Sequence, residues 1–433
     1  MKSVDGLFHQ KEKIPEEWDY VELEKLTDEK SAIRMGPFGS SLKKEELVGK
    51  GIMTLWIENI VNNEFSWDYK QYITKEKFEE LRGFEVKPDD VLITMMGTVG
   101  RVAIVPKDIG TAIITSHLLK ITLDQKKCLP KFLYYFLQSY FIHRQLLRES
   151  RGIVMSGLNT EIIKSLLIKV PKLPEQKKIA LILSNIDELI LKQQQVIEQT
   201  QKLMKGQMQK LLTKGINHTK FSKRPWLFGK KIEIPVEWEL KRIKDVTEVS
   251  VGLVINPSTY FDDNGTVPMI TGKNVTENGI VLDKVDFISE KSNKLLDKTR
   301  IWSGDLVTMR VGYPGRTSLV KDEHDGINCA SVIITRKSKK IDSQFLYYLS
   351  NSELISKQVT KYEAGSAQKV INIDSWENFL IPFPPLPEQQ KIASILSNLD
   401  LLIQQEKQYK EKLQKIKRGL MQQLLTGKTR VKV

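Results

Sequence analysis

Two long stretches of the chain carry apolar residues at mostly three- and four-residue steps. The first runs Ile179, Ile182, Leu183, Ile186, Leu189, Ile190, Ile197, Leu203, Met208, Leu211. The second runs Ile392, Ile395, Leu396, Leu399, Leu402, Ile403, Leu413, Ile416, Leu420, Leu424. Such spacing gathers the apolar side chains into a narrow stripe on one helix face, as in a coiled coil. Pro174 and Pro387 stand where each helix begins, a place that tolerates a missing N–H, and Glu175 and Glu388 follow at the positive end of the helix dipole. Each stretch predicts a rod of about 40 residues, ~60 Å long at ~1.5 Å per residue. The polar runs Gln193-Gln194-Gln195 and Gln404-Gln405 interrupt the stripe. Neither rod is stable alone in water, so the natural partner of each is the other.

The two rods are copies. Residues 171–213 and 384–426 match at 25 of 43 positions without a gap. Leu173-Pro174-Glu175-Gln176 returns as Leu386-Pro387-Glu388-Gln389, and Leu211-Leu212-Thr213 as Leu424-Leu425-Thr426. The repeat extends upstream. Phe132-Leu133-Tyr134-Tyr135 matches Phe345-Leu346-Tyr347-Tyr348, Asp90, Gly97 and Gly100 match Asp305, Gly312 and Gly315, and Ile14-Pro15 with Trp18 matches Ile234-Pro235 with Trp238. Val91–Met95 and Val102–Val105 flank a Gly97–Gly100 turn and predict a hairpin; Leu306–Met309 repeats this before Gly312–Gly315. Lys131–Leu147 and Ser343–Gln358 each predict one helix.

The expected organisation is therefore a lead-in (1–13), a mixed strand–helix domain (14–170), a repeat helix (171–215), a linker (216–233), a second domain (234–383), a second repeat helix (384–428) and a basic tail (429–433). The fold class expected is α+β, with two mixed α/β domains separated by two long antiparallel coiled-coil helices in a pseudo-twofold repeat.

Composition narrows the function. The 433 residues carry a net charge of +14, which favours a polyanionic partner, most often nucleic acid. The helices with the tail hold about +10 of it and the domains with the linker about +4, so a domain that binds DNA must gather its positive charge on one face. Cys128 and Cys329 are the two cysteines, and neither has a neighbour at metal-ligand spacing, so neither zinc nor a disulfide framework is implied. With no apolar signal core after Met1 and no membrane-spanning run, a cytoplasmic protein is expected.

The Leu-Pro-Glu-Gln helix starts, the Leu-Leu-Thr helix ends, the Ile-Pro-x-x-Trp domain starts and the run Gly36-Pro37-Phe38-Gly39-Ser40-Ser41-Leu42-Lys43 together resemble the specificity subunit of type I restriction–modification systems, over nearly the whole chain. The resemblance implies a non-catalytic subunit whose two target recognition domains each read one half of a bipartite double-stranded DNA site. It implies helices that bind two modification (methyltransferase) subunits, to which restriction/translocase subunits are added. The chain itself would hold no cofactor: S-adenosylmethionine belongs to the methyltransferase, ATP and magnesium to the restriction subunit. Two divergent readers on a fixed ruler would recognise unlike half-sites around an unread spacer. Four residues inserted after Thr213 would add ~6 Å of helix, nearly two base pairs.

Candidate DNA contacts follow from side-chain chemistry. Ser40, Ser41, Lys43 and Lys44 follow a Gly-rich turn and suit phosphates. Glu58 and Asn59, with Lys273 and Asn274 in the second copy, offer groups that read cytosine and adenine edges; a satisfied internal polar pair is the alternative. Arg101, Arg310 and Arg316 stand beside glycines that allow close backbone approach, suiting guanine or phosphate, with structural ion pairs as the alternative. Tyr313 lies between them, as a base contact or a loop anchor, and Ser156, Asn159, Gln368 and Lys369 precede the helix starts.

Enzymatic signatures fail. Asn256-Pro257-Ser258-Thr259-Tyr260 lacks the second proline of the adenine-methyltransferase motif, and no Gly-rich cofactor loop accompanies it. Gly427-Lys428-Thr429 imitates the end of a phosphate-binding loop, but Gln422 stands where its first glycine belongs. Two other readings stay open: a subunit of a related type IIB-like system, and a coiled-coil scaffold without DNA specificity.

Overall fold

The computed structural model describes residues 1–5, 11–27, 32–38, 41–150, 159–363 and 370–432. Two long helices organise it: α1 (Leu173–Lys214) and α2 (Leu386–Leu424). The chain packs as two units. Unit 1 comprises Met1–Gln194 and Tyr409–Val433; unit 2 comprises Gln195–Gln408. Each unit thus combines one globular domain, the first half of the helix that follows it, and the second half of the other helix.

Unit 1 is built on an antiparallel sheet of β1 (Ile33–Met35), β2 (Val91–Thr94), β3 (Val102–Ile104) and β4 (Leu118–Ile121), in the order β3-β2-β4-β1. β2 (Val-Leu-Ile-Thr) and β4 (Leu-Leu-Lys-Ile) are buried along their whole length, and the buried Lys120 of β4 donates to Glu85 O. A second sheet sets Ile52–Leu55 between Ala112–Ile114, which runs parallel to it, and the antiparallel Gln71–Ile73. One core joins Trp18, Phe132 and Phe136 of the domain to Ile179 and Leu183 of α1, to Leu424 at the end of α2 and to Leu425 just after it. The helix segments run antiparallel: Asp187 accepts from Lys417 at 2.6 Å, while Gln194 accepts from Lys410 at 2.6 Å. The expectation that each rod covers the other is met here.

Unit 2 repeats the plan. Its sheet holds β5 (Val249–Val251), β6 (Leu306–Met309), β7 (Thr317–Leu319) and β8 (Val332–Thr335), in the order β5-β8-β6-β7. Its smaller sheet sets Val267–Ile270 between Asp286–Ile288 and Asn328–Cys329. Trp238, Phe345 and Trp376 share a core with Met204, Leu211 and Leu212 of α1 and Ile392 and Leu396 of α2.

The recurring motifs are the two ends of one tie. The Trp18 indole N–H donates to Glu175 Oε2 at 3.0 Å, and Trp238 donates to Glu388 Oε2 at 2.9 Å. The Ile-Pro-x-x-Trp start of each domain is thereby fastened to the Pro-Glu-Gln start of its helix. The adjacent glutamine completes the tie: Gln176 accepts from Leu129 N and donates to Lys127 O and Pro171 O, and Gln389 accepts from Asp342 N and donates to Pro384 O. Burial without partners would be costly for these groups, and each has them.

One expectation is corrected. Each aromatic helix before the repeat is two helices, Pro130–Leu137 followed by Tyr140–Ser150, and Ser343–Ser350 followed by Glu353–Glu363. Ser139 causes the first break. Its hydroxyl accepts from Ile142 N at 3.4 Å and starts the second helix as a cap.

Candidate nucleic-acid interface

The chain leaves each main sheet twice at the same end. β1 and β2 both run antiparallel to β4, so the chain leaves the sheet after Met35 and again after Thr94 at the end where β4 begins. Gly36 N donates to Leu118 O and Met95 N to His117 O, which pins both loop bases to that strand. A Cβ on Gly36 would lie 2.1 Å from Thr115 O, so no other residue permits this approach. Gly252 takes its place in unit 2, donating to Val332 O.

The 95–101 loop turns on Gly97 (φ 69°) and Gly100 (φ 83°), and its counterpart on Gly312 (φ 87°) and Gly315 (φ 88°). Beside it lies the short hairpin Ile60–Val61/Glu64–Phe65, held by Asn63 Oδ1 accepting from Val102 N at 3.0 Å. Tyr134 OH donates to Asn63 O at 2.8 Å, and Tyr347 OH donates to Glu277 O in unit 2. Burial pushes both phenols up to about 12, so they donate as neutral groups.

The predicted contacts divide. Ser41, Lys43 and Lys44 are exposed on the first loop, and Ser41 N donates to Phe38 O at 2.8 Å. Arg101 is half-buried beside the hairpin, with Nη1 3.5 Å from Ile60 O; among the described residues no carboxylate pairs with it. Arg310 donates through Nε to Ile371 O at 3.3 Å and likewise has no acidic partner among the described residues. Arg316 stacks on Tyr313, 4.5 Å from the ring centroid, with Glu277 3.6 Å away. Tyr313 itself is 66% exposed. Glu58 and Lys273 occupy matching turns and are both exposed.

Two candidates are corrected, and a third, the exposed Asn159, has a structural role as well. Asn59 is fully buried, accepting from Trp56 N and donating to Ser66 O and Tyr69 O. Asn274 does the same work, accepting from Thr271 N and donating to Val281 O. Both amides are consumed in bracing their turns and cannot face a base. Asn159 caps the helix Thr160–Lys164, accepting from Ile162 N at 2.8 Å, as Asn372 caps Ile373–Glu377. Ser40, Ser156, Gln368 and Lys369 lie outside the described residues.

Sequence reasoning missed two further groups. One is the apolar tips of the loops: Phe38, Met96 and Val99 in unit 1, Val254, Ile255 and Val311 in unit 2, all exposed. Their signal was apolarity within glycine- and polar-rich loops. The other is the exposure of part of the predicted stripe: Leu189 and Leu203 of α1 and Leu402 and Ile416 of α2, expected to be covered by the opposite rod, are exposed, with Val196 and Tyr409 between them at seven-residue spacing and at matching positions of the repeat. Among the described residues, no group of three or more His, Cys, Asp or Glu is placed to hold a metal ion, and no helix is long and apolar enough to cross a membrane.

Comparison with known proteins agrees with this geometry. The Type I restriction modification DNA specificity domain family matches residues 15–199 and 235–415. The type I restriction enzyme MjaVIII specificity subunit of Methanocaldococcus jannaschii is 30% identical, over 100% of this chain and 96% of its own. The EcoBI specificity subunit of Escherichia coli is 21% identical, over 83% of this chain and 76% of its own. In fold, the chain is similar to one solved in work on complex assembly and conformational transition of the type I R-M system (TM-score 0.63, 16% identity, 96% of this chain and 100% of that one). It is also similar to the type I restriction–modification S subunit from M. genitalium (TM-score 0.54, 16% identity, 95% and 96%). Two family matches, one on each globular domain and its helix, place this chain among the DNA specificity subunits of type I restriction–modification systems, with two target recognition domains.

Proposed function

We propose that each unit presents the paired loops at its sheet end to one half of a bipartite double-stranded DNA site, and that the chain performs no chemistry itself. The observation that carries this reading is the duplication of one loop scaffold with unlike side chains. The bond from Gly36 N to Leu118 O returns as Gly252 N to Val332 O, and that from Gly100 N to Thr94 O as Gly315 N to Met309 O, while nearly every exposed residue changes. A shared frame with divergent tips suits two readers of different half-sites. Lys43, Lys44 and Arg101 in unit 1, and Lys273, Arg310 and Arg316 in unit 2, supply phosphate and guanine contacts.

Methyl transfer would come from modification subunits carrying S-adenosylmethionine, and DNA cleavage from restriction subunits using ATP and magnesium. Two modification subunits fit the duplicated helices, which expose Val196 and Leu203 in unit 2 and, at the matching positions of the repeat, Tyr409 and Ile416 in unit 1. Apolar residues every seventh position receive the knobs of a partner helix, and a stripe present twice receives the same partner twice. Such a complex acts where DNA is, in the cytoplasm.

The test is adenine-methylation mapping of a host genome carrying this chain with its modification subunit, against the modification subunit alone. A bipartite motif that needs this chain is the expected result. Association of the two proteins without a new motif would leave a scaffold role instead.

A further inference from the structure

The loop tips carry a feature that phosphate binding does not explain. Phe38 is 73% exposed, Val254 68%, Val311 60% and Met96 45%. Phe38 and Val254 are equivalent, each two residues after the glycine that donates to the sheet (Gly36 to Leu118 O, Gly252 to Val332 O). Met96 and Val311 are equivalent as well, each one residue before the left-handed glycine of its turn, Gly97 or Gly312. The two loops of a unit leave its sheet at the same end, one on each side of the central strand (β4 or β8), so each unit carries two exposed apolar residues at that end. The residues change between units, yet apolarity persists at both positions. Exposed apolar side chains at one end of a sheet mark a surface that is covered in use.

The charge on those loops identifies the cover. Lys43 and Lys44 follow Phe38 and Arg101 follows Met96 along the same loops of unit 1, and Arg310 and Arg316 bracket Val311 in the sequence of unit 2. Cationic loops with apolar tips fit duplex DNA, whose major groove exposes one apolar group, the 5-methyl of thymine. The alternative apolar target is a base face, reached by a wedge between unstacked base pairs. Val254 and Val311 are short, β-branched side chains, too short to enter a base step, which favours the methyl group.

We propose that Phe38 and Met96 in unit 1, and Val254 and Val311 in unit 2, are specificity-determining contacts that recognise thymine methyl groups in the major groove of each half-site. This rests on the reading of the sheet ends as the DNA-binding faces. It makes each unit a reader of A·T pairs as well as of polar base edges, and it makes recognition sensitive to a single carbon atom.

The test uses the full chain with its modification subunit and duplexes bearing the mapped site, with each thymine replaced in turn by deoxyuridine. Uracil pairs as thymine does and lacks only the methyl. At least one position per half-site is expected to lose about fourfold in affinity, the effect of one buried methyl group. Val254→Ala or Val311→Ala should erase the penalty in the second half-site alone, and Phe38→Ala or Met96→Ala in the first, each lowering affinity for the thymine duplex more than for the uracil duplex. Uracil tolerated at every position, a penalty that survives all four alanine variants, or a half-site without thymine on either strand overturns the proposal while leaving DNA recognition by the chain intact. Strong 2-aminopurine fluorescence on binding would reveal unstacked bases and overturn it in favour of a wedge. Failure to bind even the all-thymine site would sink the reading of these faces along with it.

Discussion

The two units solve one problem with different chemistry. In both, a tyrosine of the domain donates to an aspartate of its own long helix: Tyr135 to Asp187 at 2.8 Å, Tyr348 to Asp400 at 2.8 Å. In unit 1 the aspartate also meets Lys417 of the other helix, 2.6 Å away. In unit 2 the repeat position of Lys417 is the buried Met204, and among the described residues no cation lies within ion-pair reach of Asp400. Burial there holds the Asp400 carboxyl above its ordinary value, opposed by the hydrogen bond from Tyr348 and by Lys407. A second difference sits at the helix starts. Glu175 is clamped by Arg430 through two bonds of 2.7 and 2.9 Å, whereas Glu388 takes His218 Nε2 at 2.8 Å and Ile216 N at 3.0 Å. Duplication therefore preserved what fastens a domain to its own helix. The contacts with the opposite helix or the linker drifted, because each of those is made in one unit only.

The strongest way to break this comparison is to cut the preserved tie. Glu175→Ala or Glu388→Ala leaves a buried indole N–H without an acceptor, and each should destabilise its own unit by about 2–3 kcal/mol. Urea unfolding followed separately in each domain should show one shifted transition per variant; equal shifts in both would mean that the ties are not local to a unit. Next comes Lys417→Met, which gives unit 1 the side chain of unit 2. It strands Asp187 and should cost about 1–2 kcal/mol at neutral pH. Urea denaturation at neutral pH reads the loss, and a midpoint equal to the parent's would show that the pair adds nothing to unit 1.

The helix caps should behave alike in both units. Asn159→Ala and Asn372→Ala each remove one cap bond and should cost about 1 kcal/mol. A large fall in DNA affinity for Asn159→Ala, with stability unchanged, would establish it as a contact. The smallest effect concerns Asp400. Its folded pKa is raised, so between the ordinary value of 3.8 and that raised value the folded chain binds more protons than the unfolded one. Stability therefore falls as pH rises through this window. Asp400→Asn should raise the denaturation midpoint at pH 7, and the gain should vanish below pH 3.8. A variant less stable than the parent at pH 7 would show that the ionised carboxylate is stabilising after all.

Much of the architecture was legible because it is written twice. A 43-residue match without gaps, with apolar residues at helical steps, announces paired helices. The Trp18 and Glu175 motifs were visible separately, 157 residues apart, but their union was not, since nothing local marks two side chains as partners. The exchange of helix halves between units was hidden for the same reason. At the site, the arginines beside Gly100 and Gly315 could be named from glycine spacing. Asn59 and Asn274 misled, because an asparagine that braces a turn and one that reads adenine have the same composition; only burial separates them. The apolar tips went unnoticed because exposure, not residue type, gives them meaning.

The Trp18–Glu175 and Trp238–Glu388 ties also bear on inheritance. Both ends of each tie, with the glutamine beside it, lie within one continuous stretch of sequence, from Ile14 to Gln176 or from Ile234 to Gln389. A recombination event that exchanges such a stretch between relatives carries its own fastening, leaving only Arg430 or His218 to be met by the resident chain. New combinations of recognised sites are thus open to single crossovers, without a compensating change in the helices.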